Sequence, residues 1–433
     1  MKIHGVMSQK FASDVLWNIS SFCFLAVGGL LTNYSITNLS GDASLGIFNQ
    51  AFALFIVFSQ IGVGGFQFSV LHHISHSIHN EEKCIAIFTS AFVLVGGLAS
   101  SLVLIIFLSR DHLSIFIKSP NVLSAFLLTL PGLIFYSLNK VIMLSLNALR
   151  HMRAYAIFQG LRALFILSST LFLCLNKFDP VSYSLSLSLS EFLLFILLVG
   201  YSQKNAIAFS FNRLFLPSLK KHLSFGLRGV FSGILIEFNT RVDILLLGFI
   251  TQNNALIGVY SFPALLAEGL GQIPIVIRQN IDPILGQAFS KQKEAESFKS
   301  VQQGVYTFFL PLFVTGCIAI LIAYPFFFNL FMNNKGNTYA SSMTFCILVI
   351  GVIMGAAFRP FMGIFLQGGR PGLYTSLILT VFISNIVLNI LLIPYFSIYG
   401  SALATTLACL IEGALLVFLS QRIFNIRIIP SFQ

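Results

Sequence analysis

Four ionisable residues stand close together in an otherwise apolar part of the chain: Glu237, Arg241, Asp243 and Glu268, all within Leu235–Glu268. The stretch reads as two membrane-spanning helices joined by a short uncharged turn. A charge at mid-membrane depth costs at least ~2.5–3.5 kcal/mol, so each such group needs a partner or a watery cavity. Glu237 and Arg241 are four residues apart and share one helical face, with the acid on the favourable N-terminal side. Asp243 falls two residues past Arg241, on a different face, and needs a partner of its own. Two readings stay open. In one, a self-neutralised pair only fixes helix packing; in the sharper one, this helix lines a solvated, charge-handling path.

Five further cations lie within predicted spans: Lys140, Arg162, Arg228, Arg278 and Arg359. Arginine offers a planar fork matched to phosphate oxygens and keeps its charge when partly buried. A path for an anionic headgroup needs such donors at several depths. The bland alternative is one ion pair per cation, supplied by Asp14, Glu191, Glu237, Asp243, Glu268, Asp282 and Glu412. Pro263 and Pro274 bracket Glu268, where the helix can bend around its deep carboxylate.

Other motifs carry less. His72, His76 and His79 could share a helical face, but the spacing reads better as a polar cytoplasmic loop. Ser182–Glu191 (SYSLSLSLSE) alternates like a strand, yet its place in an apolar span argues for a helix. Gly368–Gly372 (GGRPG) is a turn, because no GK[ST] follows. The six cysteines are dispersed, with neither a disulfide framework nor metal-ligand spacing. No metal site, cofactor site, catalytic triad or ATP site is expected. Transport would then run on an ion or substrate gradient.

The elements that must position these residues follow from composition. Only 9% of the 433 residues are charged and 56% are hydrophobic, with a mean hydropathy of +0.89. That is an all-α polytopic membrane protein, since lipid requires backbone groups to be satisfied within each spanning helix. Apolar runs of roughly twenty residues predict about twelve helices, from Phe11–Asn38 to Ile398–Ser420. With the N-terminus inside, fifteen Lys and Arg fall in cytoplasmic loops and four outside, which puts both termini in the cytoplasm. The net charge of +11 belongs to those loops and calls for no nucleic acid.

The chain also repeats itself weakly. Ala43–Leu54 resembles Ala255–Leu266, Arg150 corresponds to Arg370, and Glu191 to Glu412. The common order predicts two six-helix lobes related by pseudo-two-fold symmetry. The lobes would be residues 1–201 and 222–433, joined by a basic linker at 202–221. The positions matching Arg241 and Asp243 in the first lobe are Gly29 and Leu31, so the charges belong to one lobe alone.

Three stretches carry a family resemblance. EFNTRVDILLLG…IGVYSFPALLAEG…IPIVIRQNIDPIL resembles the seventh and eighth helices of polysaccharide exporters in the multidrug/oligosaccharidyl-lipid/polysaccharide superfamily. FRPFMGIFLQGGRPGLY resembles their tenth-to-eleventh junction, and NALRHMRAYAIFQGLRAL their fourth-to-fifth. The resemblance implies a flippase with a central cavity between lobes. It would carry an undecaprenyl-diphosphate-linked oligosaccharide, an O-antigen or capsule repeat unit, from the cytoplasmic to the periplasmic leaflet of the bacterial inner membrane by alternating access. It implies H+ or Na+ as coupling ion, a monomer working with a polysaccharide polymerase and chain-length regulator, and no enzymatic activity. Arg241, Arg359, Arg278, Lys140 and Arg162 would contact diphosphate or sugar. Glu237, Asp243 and Glu268 would be coupling groups or charge partners. Unlike a strongly basic cavity, the first two spans hold no Lys or Arg between Phe11 and Lys83.

A cation-coupled multidrug exporter of the same superfamily would share the fold, with carboxylates outnumbering arginines in the path. A major-facilitator carrier would have a basic signature after the second helix, where HHISHSIHNEEK stands instead. A polysaccharide polymerase would carry a large periplasmic loop.

Overall fold

Long apolar runs become helices because only the helix satisfies every backbone donor and acceptor inside its own segment. The computed structural model describes residues 2–75, 77–78, 80–291, 294–332 and 337–429, and among the described residues no strand forms. The helices, in order, are α1 (Lys2–Ser40), α2 (Asp42–Val63), α3 (Phe66–Ser75), α4 (Glu81–Leu108), α5 (Arg110–Phe116), α6 (Pro120–Ala148), α7 (Met152–Leu175), α8 (Leu185–Asn205), α9 (Phe215–Thr251), α10 (Asn254–Lys291), α11 (Glu294–Gln303), α12 (Leu310–Met332), α13 (Thr338–Phe358), α14 (Ile364–Gln367) and α15 (Pro371–Phe424).

Among the described residues, nine segments are long and apolar enough to cross a membrane. One of them contains two spans, because α15 is broken at Ser397, whose φ is 51° and ψ −125°. α1 and α9, at 39 and 37 residues, each exceed the ~30 Å hydrocarbon thickness at about 1.5 Å per residue. Together these make the expected twelve, and the protein is a multi-pass membrane protein.

Turns interrupt the apolar runs, each for a local reason. The second span stops at Val63, because Gly64 and Gly65 take left-handed φ values of 57° and 71° and turn the chain into α3. Inside the span Thr338–Gln367, α13 gives way to a short 3-10 turn at Arg359–Phe361, where Pro360 lacks the N–H that would continue the helix. The serine-leucine alternation resolves as a 3-10 turn followed by α8. His76 and His79 lie outside the described residues, as do the side chains of Asp14 and Arg228.

The chain forms two compact units, Met1–Arg241 and Val242–Gln433, so the division falls inside α9. In the first unit α6 is central, packed against α2, α4 and α8, while α1 lies along α7. One cluster among the described residues joins Val70, Ile87, Phe88, Leu146, Leu194 and Leu198. The stretch after α8 is tied to this unit: Asn212 Nδ2 donates to Glu82 O (2.9 Å). His222 bridges Ser69 Oγ (2.8 Å) and Ile87 O (2.9 Å). The carbonyl can only accept, so Nε2 carries the proton and Nδ1 accepts from the serine, as a neutral histidine allows. In the second unit α13 packs against α10, α12 and α15, over a core that includes Leu285, Phe361, Phe365, Leu377 and Leu416.

One packing device occurs in both units. A Cβ on Gly132 of α6 would lie 2.6 Å from Ser188 Cα of α8, and Ser188 Oγ donates to Leu128 O (2.7 Å). A Cβ on Gly351 of α13 would lie 2.9 Å from Thr406 Cα of α15, and Thr406 Oγ1 donates to Ile347 O (2.8 Å). In each case a hydroxyl bonds the carbonyl one turn before the glycine, where two backbones touch, as small residues permit in membrane helices. The glycines are 219 residues apart and the hydroxyls 218. Gly132→Leu is expected to lower stability by about 1–3 kcal/mol by overpacking this crossing. The check is thermal unfolding of the purified protein against the exposed Gly97→Leu, which should be near neutral.

Candidate functional site

The Asp243 carboxylate is 8% exposed and sits in a cage of neutral donors from three helical segments. Asn389 Nδ2 (3.0 Å) and Asn385 Nδ2 (3.3 Å) donate to Oδ1. Tyr260 OH (3.2 Å) and Thr405 Oγ1 donate to Oδ2. Ser401 Oγ in turn donates to Asn389 Oδ1 (2.9 Å). Asn385 and Asn389 are one turn apart on the first half of α15, and Ser401 and Thr405 one turn apart on its second half. The break at Ser397 folds these two halves against each other. Among the described residues Asp243 has no ion-pair partner, so its buried carboxyl is held by neutral dipoles. A proton or a small monovalent cation would complete its neutralisation.

The cations separate into two groups. Arg162 Nε lies 2.7 Å from Glu191 Oε1, and Asn139 Nδ2 donates to Glu191 Oε2 (2.8 Å). Arg359 Nε lies 3.2 Å from Glu412 Oε2, and its terminal nitrogen donates to Cys409 Sγ (3.5 Å). Gly271 and Gly355 clear the space for that guanidinium, since a Cβ on either would lie within 3.4 Å of it. Arg278 Nε lies 3.7 Å from Asp282 Oδ2, and its Nη1 donates to Tyr374 OH (3.2 Å). Gly363 makes room for Asp282, whose Oδ1 occupies the place of the missing Cβ.

Lys140 and Arg241 lie on aromatic faces. The Lys140 ammonium is 5.1 Å from the Tyr136 ring centre, the same ring that Arg162 approaches to 5.0 Å. Arg241 lies 5.4 Å over Phe52, and Gln60 Nε2 donates to Glu237 Oε1 (2.8 Å). An aromatic face holds the Lys140 ammonium while leaving its N–H groups available to an incoming anion. Glu268 is half-buried on α10, which stays helical through both Pro263 and Pro274.

In the first unit the structure brings Lys140 and Arg162 together at Tyr136. Arg241 and Asp243 point to different neighbours: the Glu237 and Arg241 contacts above are with first-unit residues, whereas the Asp243 cage is built wholly from the second. The sequence reading missed Tyr136, Tyr260, Asn385, Asn389, Ser401 and Thr405. The spacing of Asn385 and Asn389, two amides one turn apart in an apolar span, was the available signal.

Breaking the Arg162–Glu191 pair should be costly. Glu191→Ala strands a buried guanidinium, with an expected loss of about 3–5 kcal/mol, whereas Glu191→Gln keeps a hydrogen-bond acceptor and should cost less. Unfolding of both purified variants tests the order.

The sequence profile of the family described as "Polysaccharide biosynthesis protein" matches residues 11–279, more than half of the chain. No curated protein sequence matches. Among solved structures, the chain resembles the lipid II flippase MurJ in an inward closed conformation, with a TM-score of 0.75 and 16% identity over 94% of this chain and 87% of that one. It resembles an inward-facing multidrug resistance MATE family transporter of the MOP superfamily, with a TM-score of 0.70 and 13% identity over 93% and 94%. The Vibrio cholerae MATE transporter VcmN gives a TM-score of 0.68 and 12% identity over 99% of both chains. The neighbours are a flippase and transporters rather than enzymes, and at these identities the likeness is one of fold. With a profile match over residues 11–279, more than half of its length, the chain belongs to the polysaccharide biosynthesis protein family.

Proposed function

We propose that this protein is a flippase moving an undecaprenyl-diphosphate-linked oligosaccharide, such as an O-antigen or capsule repeat unit, from the cytoplasmic to the periplasmic leaflet of a bacterial inner membrane. The observation that carries this reading is Lys140. Its half-buried ammonium lies in a membrane helix on the Tyr136 ring, with no carboxylate ion-pair partner among the described residues. An unneutralised cation at that depth is expensive, and a phosphate oxygen would neutralise it. Arg241 offers a second phosphate contact. Arg162, Arg278 and Arg359, already engaged by carboxylates, orient the path and can exchange a carboxylate for phosphate as the headgroup passes.

Asp243 is the coupling group in this reading: H+ or Na+ occupies its cage in one state and leaves in another, with Glu237 and Glu268 as further charge partners. The lobes correspond to residues 1–201 and 222–433, with 202–221 as linker and both termini cytoplasmic. The flippase acts as a monomer alongside a polysaccharide polymerase and a chain-length regulator.

The test is deletion of the gene from its host, followed by analysis of surface polysaccharide. Polymer should disappear and lipid-linked repeat units should accumulate on the cytoplasmic leaflet. Polymer in normal amount, in a strain without a second flippase, would overturn the proposal.

A further inference from the structure

Arg162 of α7 presents one edge of its guanidinium to Glu191 of α8. Nε lies 2.7 Å from Oε1 and Nη2 donates to Oε2 (3.2 Å), while Nη1 donates to Gln159 Oε1 (3.1 Å). A phosphate binds arginine through that same planar edge, so a phosphate that docks on Arg162 displaces the Glu191 carboxylate. Glu191 is 2% exposed. A carboxylate that loses its counter-ion at such depth is neutralised by a proton rather than left charged.

Asn139 of α6 is fitted to receive that proton. Its side chain is fully buried, and Nδ2 donates both to the Glu191 backbone O (2.9 Å) and to Glu191 Oε2 (2.8 Å). The backbone carbonyl can only accept, which fixes the amide with its nitrogen toward Glu191. Asn139 Oδ1 is then a buried acceptor with no hydrogen-bond partner among the described residues, an uncommon condition for a buried polar atom. An ionised Glu191 has no hydrogen to offer it. A neutral Glu191 has one: its O–H donates to Oδ1 while Nδ2 keeps its bond to the carboxyl, the two-bond pairing of an acid with an amide.

The charges around Glu191 set the proton count. The elements packed against α8 are α6, α7 and the 3-10 turn before it. From α6 come Tyr136 and Lys140, and from α7 come Arg162 and, through Gln159, Tyr155. Tyr183 in the 3-10 turn is bonded to Ser40 instead (2.6 Å). Lys140, Arg162 and an ionised Glu191 leave one positive charge in excess; with Glu191 neutral the excess is two. A diphosphate diester carries two negative charges and does not titrate near neutrality. We infer that Glu191 takes up one proton when the lipid-linked diphosphate docks on Lys140 and Arg162, and that the proton is held between Glu191 and Asn139. The loaded site is then electrically neutral, the least costly state at membrane depth. The inference rests on the flippase reading and adds a titrating group in the first unit, apart from Asp243.

Calorimetric titration of the full-length protein in detergent, in buffers of different ionisation heat, counts the protons. The probe is farnesyl-diphospho-N-acetylglucosamine, a diphosphate diester. About one proton should be taken up per probe bound, and because binding takes up a proton, affinity should rise as pH falls, by up to about tenfold per pH unit. Farnesyl-phospho-N-acetylglucosamine, with a single charge, should bind without uptake. Glu191→Gln should bind the diphosphate diester with neither uptake nor pH dependence. Infrared difference spectra should show a carboxylic acid band appearing with the diphosphate diester in wild type and absent from that variant. The comparison of the two probes on wild type decides the matter even if Glu191→Gln is too unstable to purify. Binding of the diphosphate diester without uptake, equal uptake with both probes, or uptake that survives in Glu191→Gln would overturn the inference and leave the flippase reading standing. No binding of the diphosphate diester at all would overturn that reading, and this inference with it.

Discussion

Asp243→Asn is expected to abolish polysaccharide export while the protein still folds and reaches the membrane. The change is nearly isosteric but removes the charge and one acceptor oxygen. The substituted amide can still accept from the two asparagines through its carbonyl. Its NH2 group then faces Tyr260 OH and Thr405 Oγ1, which present oxygen lone pairs as well as protons, so the cage can reorganise without collapsing. What is lost is the negative charge that would draw a cation into the cage. If that attraction contributes about 2.7 kcal/mol to a coupled step, export falls about a hundredfold. The measurement is complementation of a flippase-null strain together with transport in inverted vesicles under an imposed H+ or Na+ gradient. Wild type should respond to one gradient and Asp243→Asn to neither. A variant that keeps normal, gradient-dependent export would remove Asp243 from the coupling role.

Arg241→Ala carries the second large effect. The guanidinium over Phe52 is two residues from Asp243 yet serves the other side of α9. Its removal is expected to eliminate complementation at normal protein levels, a loss of at least about a hundredfold if one charge-assisted phosphate contact of ~3 kcal/mol disappears. Arg241→Lys should recover part of the export, since it keeps the charge and the aromatic contact but not the planar fork. Comparing the two separates an anion-binding role from packing. Packing alone predicts equal damage to stability and export, and a Lys variant no better than Ala. Lys140→Ala should show the same pattern more weakly, because Arg162 remains at the Tyr136 ring.

These two variants also divide what was legible in the sequence from what was not. Arg241 and Asp243 stood out because a charge in an apolar span is rare and costly. Their separate orientations followed from helical spacing, since residues two apart cannot share a face. The cage around Asp243 was not legible. Its members lie 17 to 162 residues away in sequence, and they are ordinary polar residues that membrane helices often contain. Only the break at Ser397 brings Asn385 and Asn389 against Ser401 and Thr405. Likewise, Lys140, Arg162, Arg278 and Arg359 looked alike as isolated intramembrane cations. Packing partners decided that three are held by carboxylates and that Lys140 rests on a ring.

The sequence by itself determined the class of molecule: a chain with 9% charged residues and 56% hydrophobic ones can satisfy its backbone in lipid only as a set of spanning helices. It also determined which side chains are energetically out of place, since hydropathy and charge are properties of single residues and short windows. The tertiary structure alone decided how each charge is compensated. It also placed a like glycine–hydroxyl contact in each unit, Gly132 against Ser188 and Gly351 against Thr406. Compensation and helix crossings depend on which surfaces meet, and that depends on turns such as those at Gly64–Gly65, Pro360 and Ser397, where a one-residue change in geometry redirects everything that follows.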